Sequence, residues 1–159
     1  MAQLTLNSTT LLGATTGTIS SYLLPVAGRQ LLLPSAAVTE VVEAVQLTPV
    51  SGKPEWYLGQ LRWRDGQIPV LSFESLNGGA VPGARGRVAI ISGISNQGEL
   101  PFYGIVLQGL PRAAKVKIAE LEDLEGAPVG PVEFLQVRYS GELACIPDLD
   151  ALEERLLTA

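Results

Sequence analysis

The sequence contains no histidine, so it lacks the side chain that proteins use most often as a general base and as a metal ligand. Ser-His-Asp triads and histidine-based zinc sites are therefore excluded. The single cysteine, Cys145, also excludes an intrachain disulfide and a CxxC metal knuckle, and its apolar neighbours predict a buried thiol. We expect no catalytic residue, no metal and no cofactor, and hence a protein that is not an enzyme.

Basic clusters and long apolar runs are missing as well. The net charge is −5 and no basic run occurs, whereas a nucleic-acid-binding domain usually carries a clustered positive face. No stretch approaches the ~20 apolar residues that a membrane helix needs. Residues 1–17 lack the basic start and the continuous apolar run of a secretory signal. We therefore expect a cytoplasmic protein with no nucleic-acid partner and no direct membrane insertion.

The abundant residues favour short strands. Apolar residues make up 47% of the 159 residues, which is enough for one domain with a buried core. Glycine (17) and proline (11) are frequent and long helical patterns are scarce, so the composition predicts a mainly β fold. Residues 1–18 are predicted to form a flexible tail, and the glycine-rich segment 78–86 is predicted to join two lobes.

The clearest local pattern is an alternation of apolar and basic residues that predicts a half-buried strand. Leu61 and Trp63 fall on one face of this strand, and Arg62 and Arg64 fall on the other. Trp63 is therefore predicted to belong to the core, and the two arginines are predicted to be exposed. The Asp-Gly pair directly after Arg64 predicts a tight two-residue turn into a second strand.

A similar hairpin recurs near the end of the chain. Residues 60–63 (Gln-Leu-Arg-Trp) recur as residues 136–139 (Gln-Val-Arg-Tyr), and residues 65–68 recur as residues 140–143. Each copy leads into a helical turn, and regularly spaced leucines predict a longer helix at 148–157 after the second copy. Two copies are too few for a solenoid, but they predict a pair of similar lobes packed side by side.

Several motifs occur in an order that is shared with a known family. Segment 25–34 reads as two strands around a Gly-Arg turn, and segment 38–42 contains a Val-x-Glu-Val element. A third motif consists of Gly59, Arg64, Pro69, Val70 and Leu71. In this order and spacing, residues 20–152 resemble the CheW-like domain of bacterial chemosensory adaptors.

The sequence also departs from the pattern of that family at three positions. Arg62 stands where the family usually has Asn, Asp65 stands where it has Gly, and Ser72 stands where it has Asp. Such departures are typical of a diverged branch, and ChpC-type accessory adaptors of pilus-linked chemosensory systems are one such branch.

The resemblance implies a fold and a function. The fold would be two five-stranded SH3-like β-barrels packed together over residues 19–152, followed by the helix at 148–157. The function would be that of a non-catalytic adaptor between a methyl-accepting chemoreceptor and the regulatory domain of a CheA-like sensor histidine kinase. Its output would be either flagellar chemotaxis or twitching motility.

The resemblance also implies a partner-binding surface. Val38 and Glu40, expected on one face of the third strand, would combine with Arg64 of the neighbouring hairpin to bind a receptor helix in the groove between the lobes. Arg62 is added because its position is exposed. From the residues alone, Arg62 and Arg64 could equally be solvated charges that protect an edge strand from aggregation. Trp56 could serve in loop packing or as an interface anchor.

A second class of function remains open from the residues. Two adjacent arginines can clamp an anion bidentately. The alternative is therefore a catalytically inactive barrel domain that binds a small anionic ligand between its lobes.

Overall fold

The computed structural model describes residues 17–43, 46–82, 86–94, 98–124, 126–127 and 129–159. Within these ranges the chain forms eleven strands and two α-helices, namely β1 (Thr18–Val26), β2 (Arg29–Pro34), β3 (Val38–Glu43), β4 (Tyr57–Trp63), β5 (Gly66–Leu71), α1 (Phe73–Leu76), β6 (Arg87–Ser92), β7 (Phe102–Leu107), β8 (Arg112–Lys117), β9 (Leu121–Asp123), β10 (Glu133–Tyr139), β11 (Glu142–Pro147) and α2 (Leu149–Thr158). The expected mainly β fold with two subdomains and a C-terminal helix is confirmed. Residues 1–16 of the predicted tail lie outside the described residues, and Thr18 belongs to β1.

The strands form two sheets, and each sheet contains one hairpin from the other half of the chain. One sheet has five strands in the order β3-β6-β7-β5-β4, and the other has six in the order β8-β1-β2-β11-β10-β9. The early hairpin β1–β2 therefore lies in the sheet of the late strands, and the later hairpin β6–β7 lies between β3 and β5. The boundary between the two sheets along the chain therefore does not fall at segment 78–86, which the sequence predicted to join two lobes. Both exchanged hairpins are apolar on two faces, so each is buried best in the middle of a sheet.

Three apolar clusters explain why these central strands are apolar on both faces. Consecutive residues of one strand alternate between clusters, as with Leu23 and Leu24 in β1 or Val88 and Ala89 in β6. The central cluster contains residues of both sheets and therefore lies between them, and its members include Leu24, Leu31, Leu33, Leu71, Ile91, Tyr103, Ile105 and Cys145. Each sheet also encloses its own outer cluster on its other face. This arrangement makes the two subdomains one packed body.

The internal repeat is present in the structure at the spacing that relates residues 60–63 to residues 136–139. The match of residues 65–68 with residues 140–143 is displaced by one residue, because the two turns are Arg64-Asp65 and Ser140-Gly141 and Ser140 therefore corresponds to Arg64. Strands β4 and β10 begin at residues 57 and 133, strands β5 and β11 at residues 66 and 142, and helices α1 and α2 at residues 73 and 149. Both hairpins turn on a residue with positive φ, Arg64 at 55° and Ser140 at 53°. Both helices begin after a capping side chain, Ser72 in α1 and Asp148 in α2. The second hairpin thus offers matched controls for substitutions at Trp63 and Arg64, whose counterparts are Tyr139 and Ser140.

The charges of the acidic run at 120–125 favour a solvated loop or a helical turn, but the structure differs in part. Ile118–Glu120 forms a 3-10 helix, and Leu121–Asp123 forms the edge strand β9, which pairs with β10. Glu125 lies outside the described residues. Leu121 is half-buried and the other two side chains are exposed, and three residues are too few for an alternation that would indicate a strand.

Gly59 is the position in the first hairpin where the backbone most clearly requires glycine. Its φ is +143°, and a Cβ there would lie 2.7 Å from the backbone oxygen of Thr48, which exchanges two hydrogen bonds with Gln60. We expect Gly59→Ala to lower the free energy of unfolding by about 2–3 kcal/mol in urea denaturation, because the clash is with backbone. Gly66→Ala is the control, since a Cβ at Gly66 meets nothing within 4 Å. Equal stability of the two variants would contradict this account.

Candidate functional site

The four residues expected to contact a partner all lie on the five-stranded sheet. Val38 and Glu40 belong to β3, Arg62 belongs to β4, and Arg64 follows it. Trp63 pairs with Gly66, so the two-residue turn consists of Arg64 and Asp65 and begins one residue earlier than predicted. Arg64 is therefore a turn residue in the left-handed region, and the alternation of the strand does not set its direction.

Arg64 and Glu40 meet around one indole ring. The guanidinium carbon of Arg64 lies 4.1 Å from the centre of the Trp63 ring, and Trp63 Nε1 donates a hydrogen bond of 3.1 Å to Glu40 Oε1. Phe102 of β7 packs edge-on against Trp63, with 4.9 Å between the ring centres. We call Glu40, Trp63, Arg64 and Phe102 the Trp63 cluster. Trp63 is 9% exposed, as its predicted core position requires, whereas Glu40 and Arg64 are exposed.

Val38 does not join this cluster. The register of β3 shifts between Val38 and Glu40, so these two residues do not share a face as the alternation predicted. Val38 and Val41 pack against the central cluster, whereas Val42 packs against the outer cluster that contains Trp63. The bulge therefore turns Val38 toward the boundary between the sheets and Glu40 toward the Trp63 cluster.

Arg62 is also separate from the cluster. It is exposed on β4 opposite Gln67, on the side of the strand away from the buried Trp63. Within the described residues, the side chain of Arg62 makes no ion pair, hydrogen bond or ring contact. Its counterpart in the second hairpin, Arg138, forms a 3.5 Å ion pair with Glu122. Arg62 is thus a solvated charge beside the cluster.

The Trp63 cluster presents one negative and one positive group to solvent. Glu40 uses Oε1 for the indole, and its Oε2 makes no hydrogen bond within the described part of the chain. The guanidinium carbon of Arg64 lies 4.1 Å from the centre of the Trp63 ring and 5.9 Å from that of Phe102, and none of the guanidinium N–H groups bonds to a described residue. A partner can therefore reach one carboxylate oxygen and one set of guanidinium donors beside each other, which suits a ligand that carries both charges.

A buried polar network lies elsewhere in the molecule and had no signal in the sequence. Glu133 Oε2 accepts a 2.6 Å ion-pair bond from Arg29 and a short bond from Asn77 Nδ2, and its Oε1 accepts a 2.7 Å bond from Gln136. We call these four residues the Glu133 network. Burial by itself raises the pKa of Glu133, but the hydrogen bonds from Gln136, Asn77 and Arg29 and the charge of Arg29 lower it below its usual value. The network connects the β1–β2 turn, the end of α1 and β10 through hydrogen bonds to one ionised carboxylate, so its role is structural.

The same surroundings disfavour ionisation of the Cys145 thiol. Burial, followed by the nearby charge of Glu133, raises the pKa of the thiol to about 12, and Arg29 counters this only in part. The thiol therefore stays protonated at neutral pH. Its predicted buried position is confirmed.

The C-terminal helix is held by a second buried carboxylate. Glu153 accepts hydrogen bonds from the backbone N–H of Ile94 at 3.0 and 3.1 Å and from the hydroxyl of Tyr103 at 3.2 Å. Burial is the main cause that raises the pKa of Tyr103 above its ordinary value, so its hydroxyl stays a donor. These bonds seat α2 against the five-stranded sheet, with Leu152 and Leu156 in the central cluster.

An open cleft of about 590 Å³ lies beside the Glu133 network. It is lined by residues of the β1–β2 turn, of α1 and of the segment that follows α1, including Arg29, Phe73, Glu74 and Asn77. None of the four predicted partner-binding residues lines it. Within the described ranges no group of three or more Asp, Glu, Cys or His side chains could hold a metal ion, and no helix there is long and apolar enough to cross a membrane.

Comparison with known proteins agrees with this fold. The model of the CheW-like domain family matches residues 21–156, and the chain therefore belongs to the CheW-like domain family. Among solved structures, it is similar to the scaffolding protein TtCheW from Thermoanaerobacter tengcongensis, with a TM-score of 0.69 and 16% sequence identity. That match covers 82% of this chain and 88% of TtCheW, and it shows a common fold. No curated protein matches the sequence.

Proposed function

We propose that this chain is a non-catalytic adaptor that couples a methyl-accepting chemoreceptor to a CheA-like sensor histidine kinase in the cytoplasm. Its membership of the CheW-like family supports this role, and the similar TtCheW is described as a scaffolding protein. The observation that carries the proposal is the Trp63 cluster, which presents exposed charges of both signs on a rigid sheet and turn. Charges of this kind serve recognition of a partner.

The receptor would bind as a helix across the end of the five-stranded sheet. Arg64 would pair with a carboxylate of the receptor, and Glu40 would accept a bond from a basic or amide side chain. Val38 is half-buried at the boundary between the sheets, where it would supply apolar contact at the edge of the groove. Arg62 would add a positive charge near the receptor, but no contact to a described residue fixes the orientation of its side chain.

The kinase domain would bind a separate surface of the same body. Because the two subdomains share the central cluster, both partners would be held at a fixed separation. Two weak interfaces on one rigid body raise the effective concentration of each partner for the other. This bivalent binding is the mechanism that we propose for coupling.

The three departures from the family pattern affect the site unequally. Ser72 caps α1 by accepting a hydrogen bond from the backbone of Ser75, so it does what an Asp would do at this position. Asp65 completes the hairpin turn, and Arg62 adds an exposed charge. These changes leave the turn and the helix intact, and they fit a branch with a different partner, such as one linked to twitching motility.

The alternative, a small anionic ligand bound between the lobes, has less support. Arg62 and Arg64 do not converge on a cavity, and the guanidinium of Arg29 beside the cleft is already paired with Glu133. Glu74 adds a further negative charge to the cleft wall. Such a lining opposes binding of an anion.

Titration calorimetry tests the two functions together. We expect the protein to bind a helical-hairpin fragment of a chemoreceptor tip from its own organism, with weaker binding at higher salt because the contact includes charge pairs. Injection of inorganic phosphate or citrate should produce no binding heat, and neither anion should raise the melting temperature of the protein. Stoichiometric anion binding without any receptor binding would overturn the proposal.

A further inference from the structure

We propose that Trp63 is the positioning residue of the partner-binding surface: with Phe102, its indole forms a platform that holds Glu40 and Arg64 in place and couples them. The inference rests on the proposed function, because it concerns how the same surface recognises a receptor. It assigns a role to a buried side chain that does not itself reach the partner.

Arg64 needs such a platform because its position is intrinsically unfavourable. The residue has φ of 55° without being glycine, and a long side chain on a turn would otherwise sample many rotamers. The two aromatic rings receive its guanidinium at 4.1 and 5.9 Å from their centres. Contact between a cation and an aromatic face stabilises one orientation and leaves the N–H groups at the edge of the guanidinium open to solvent.

Glu40 is fixed by the other polar feature of the same ring. A nearly buried indole N–H requires an acceptor, and Glu40 Oε1 supplies it at 3.1 Å. This bond holds the carboxylate of Glu40, an exposed residue whose other carboxylate oxygen makes no hydrogen bond to a described residue. The acceptor and the cation are therefore positioned by a single side chain, and a change in one is transmitted to the other through Trp63.

The second hairpin shows that this arrangement is not needed to form such a turn. The counterparts of Trp63 and Arg64 are Tyr139 and Ser140, and Ser140 adopts the same positive φ. Tyr139 lacks an indole N–H, and Ser140 lacks a positive charge. A hairpin of this geometry thus forms without the platform, which points to recognition as the reason for Trp63 and Arg64.

A double-mutant cycle tests the platform. Binding of the receptor-tip hairpin is measured for the wild type, Arg64→Ala, Trp63→Phe and the double variant, with unfolding followed for each. Arg64→Ala should weaken binding about tenfold in the wild-type background and less than about threefold in Trp63→Phe, because the smaller ring holds the guanidinium less firmly and no longer donates a hydrogen bond to Glu40. Tyr139→Phe is the matched control and should leave the effect of Arg64→Ala at about tenfold.

The outcomes separate this inference from the proposed function. An equal loss from Arg64→Ala in both backgrounds would overturn the platform while leaving the adaptor role intact. If Trp63→Phe does not fold, Phe102→Leu takes its place in the cycle, because it removes the ring that packs against Trp63. The effect of Arg64→Ala is then compared between the wild type and Phe102→Leu, and an equal loss again overturns the platform. If the wild type does not bind the hairpin, the proposed function fails and the platform with it.

Discussion

Replacing Glu133 by alanine is expected to lower the free energy of unfolding by about 3 kcal/mol at neutral pH. The side chain is 2% exposed and accepts bonds from Arg29, Asn77 and Gln136. Its loss would leave the partly buried guanidinium of Arg29 without its counter-charge and would remove the acceptor of the Asn77 amide bond. Urea denaturation measures the change.

An exposed ion pair in the same molecule provides the control. Arg112 and Glu142 lie 3.0 Å apart with about half of each side chain exposed. Glu142→Ala should therefore change the free energy of unfolding by less than about 0.5 kcal/mol. If both substitutions cost the same, burial does not determine the strength of the Glu133 network.

The effect of Glu133 should also depend on pH. Its pKa in the folded protein lies below the usual value of about 4.5, so the folded state favours the charged form. The corresponding stability is present above about pH 4.5 and is lost as the pH falls through the folded pKa. The stabilities of the wild type and of Glu133→Gln should therefore converge in acid, whereas a constant difference from pH 7 to pH 3 would show that the charge is irrelevant.

Substitution of Arg64 is expected to abolish most receptor binding while leaving the fold intact. Arg64→Gly removes the guanidinium, and glycine accepts the positive φ of 55° without strain. The relief of strain and the loss of the ring contact oppose each other, so the free energy of unfolding should stay within about 1 kcal/mol of wild type. Affinity for the receptor tip should fall at least about tenfold.

Ser140→Gly makes the same backbone change in the second hairpin. It should leave receptor binding unchanged, because no charged group is lost. Arg64→Glu should weaken binding further than Arg64→Gly, because it brings a like charge toward the partner's carboxylate. If Arg64→Gly melts like wild type and binds with unchanged affinity, the role of Arg64 is wrong. If Arg64→Glu unfolds, the residue is structural.

The sequence predicted most strands because their patterns are local. The alternation around Leu61 and Trp63 and the repeat that places β10 and β11 after β4 and β5 needed only the spacing of apolar residues. Strand β9 was missed because its three residues are too few to show an alternation, and its pairing with β10 comes from a distant part of the chain. The exchange of hairpins was missed because a strand that is apolar on both faces does not specify which sheet covers it.

The candidate site could be predicted only in part. Trp63 was assigned to the core from its alternation, but its bond to Glu40 joins β3 and β4, which follow each other in the chain and lie at opposite edges of the sheet. Val38 and Glu40 were placed on one face because alternation assumes an unbroken strand, and a bulge leaves no trace in the pattern of valines and glutamates. The Glu133 network is formed by polar residues from distant elements, and no spacing rule brings these together.

The most direct test of the account is whether this protein alone brings receptor and kinase together. A receptor-tip hairpin and the regulatory domain of the kinase are mixed with and without it, and the mass of each eluted species is measured by light scattering. We predict that the two elute together only when the protein is present, and that Arg64→Glu elutes with the kinase domain while the receptor tip elutes separately. Separate elution of all three wild-type components at concentrations of tens of micromolar would contradict the adaptor role.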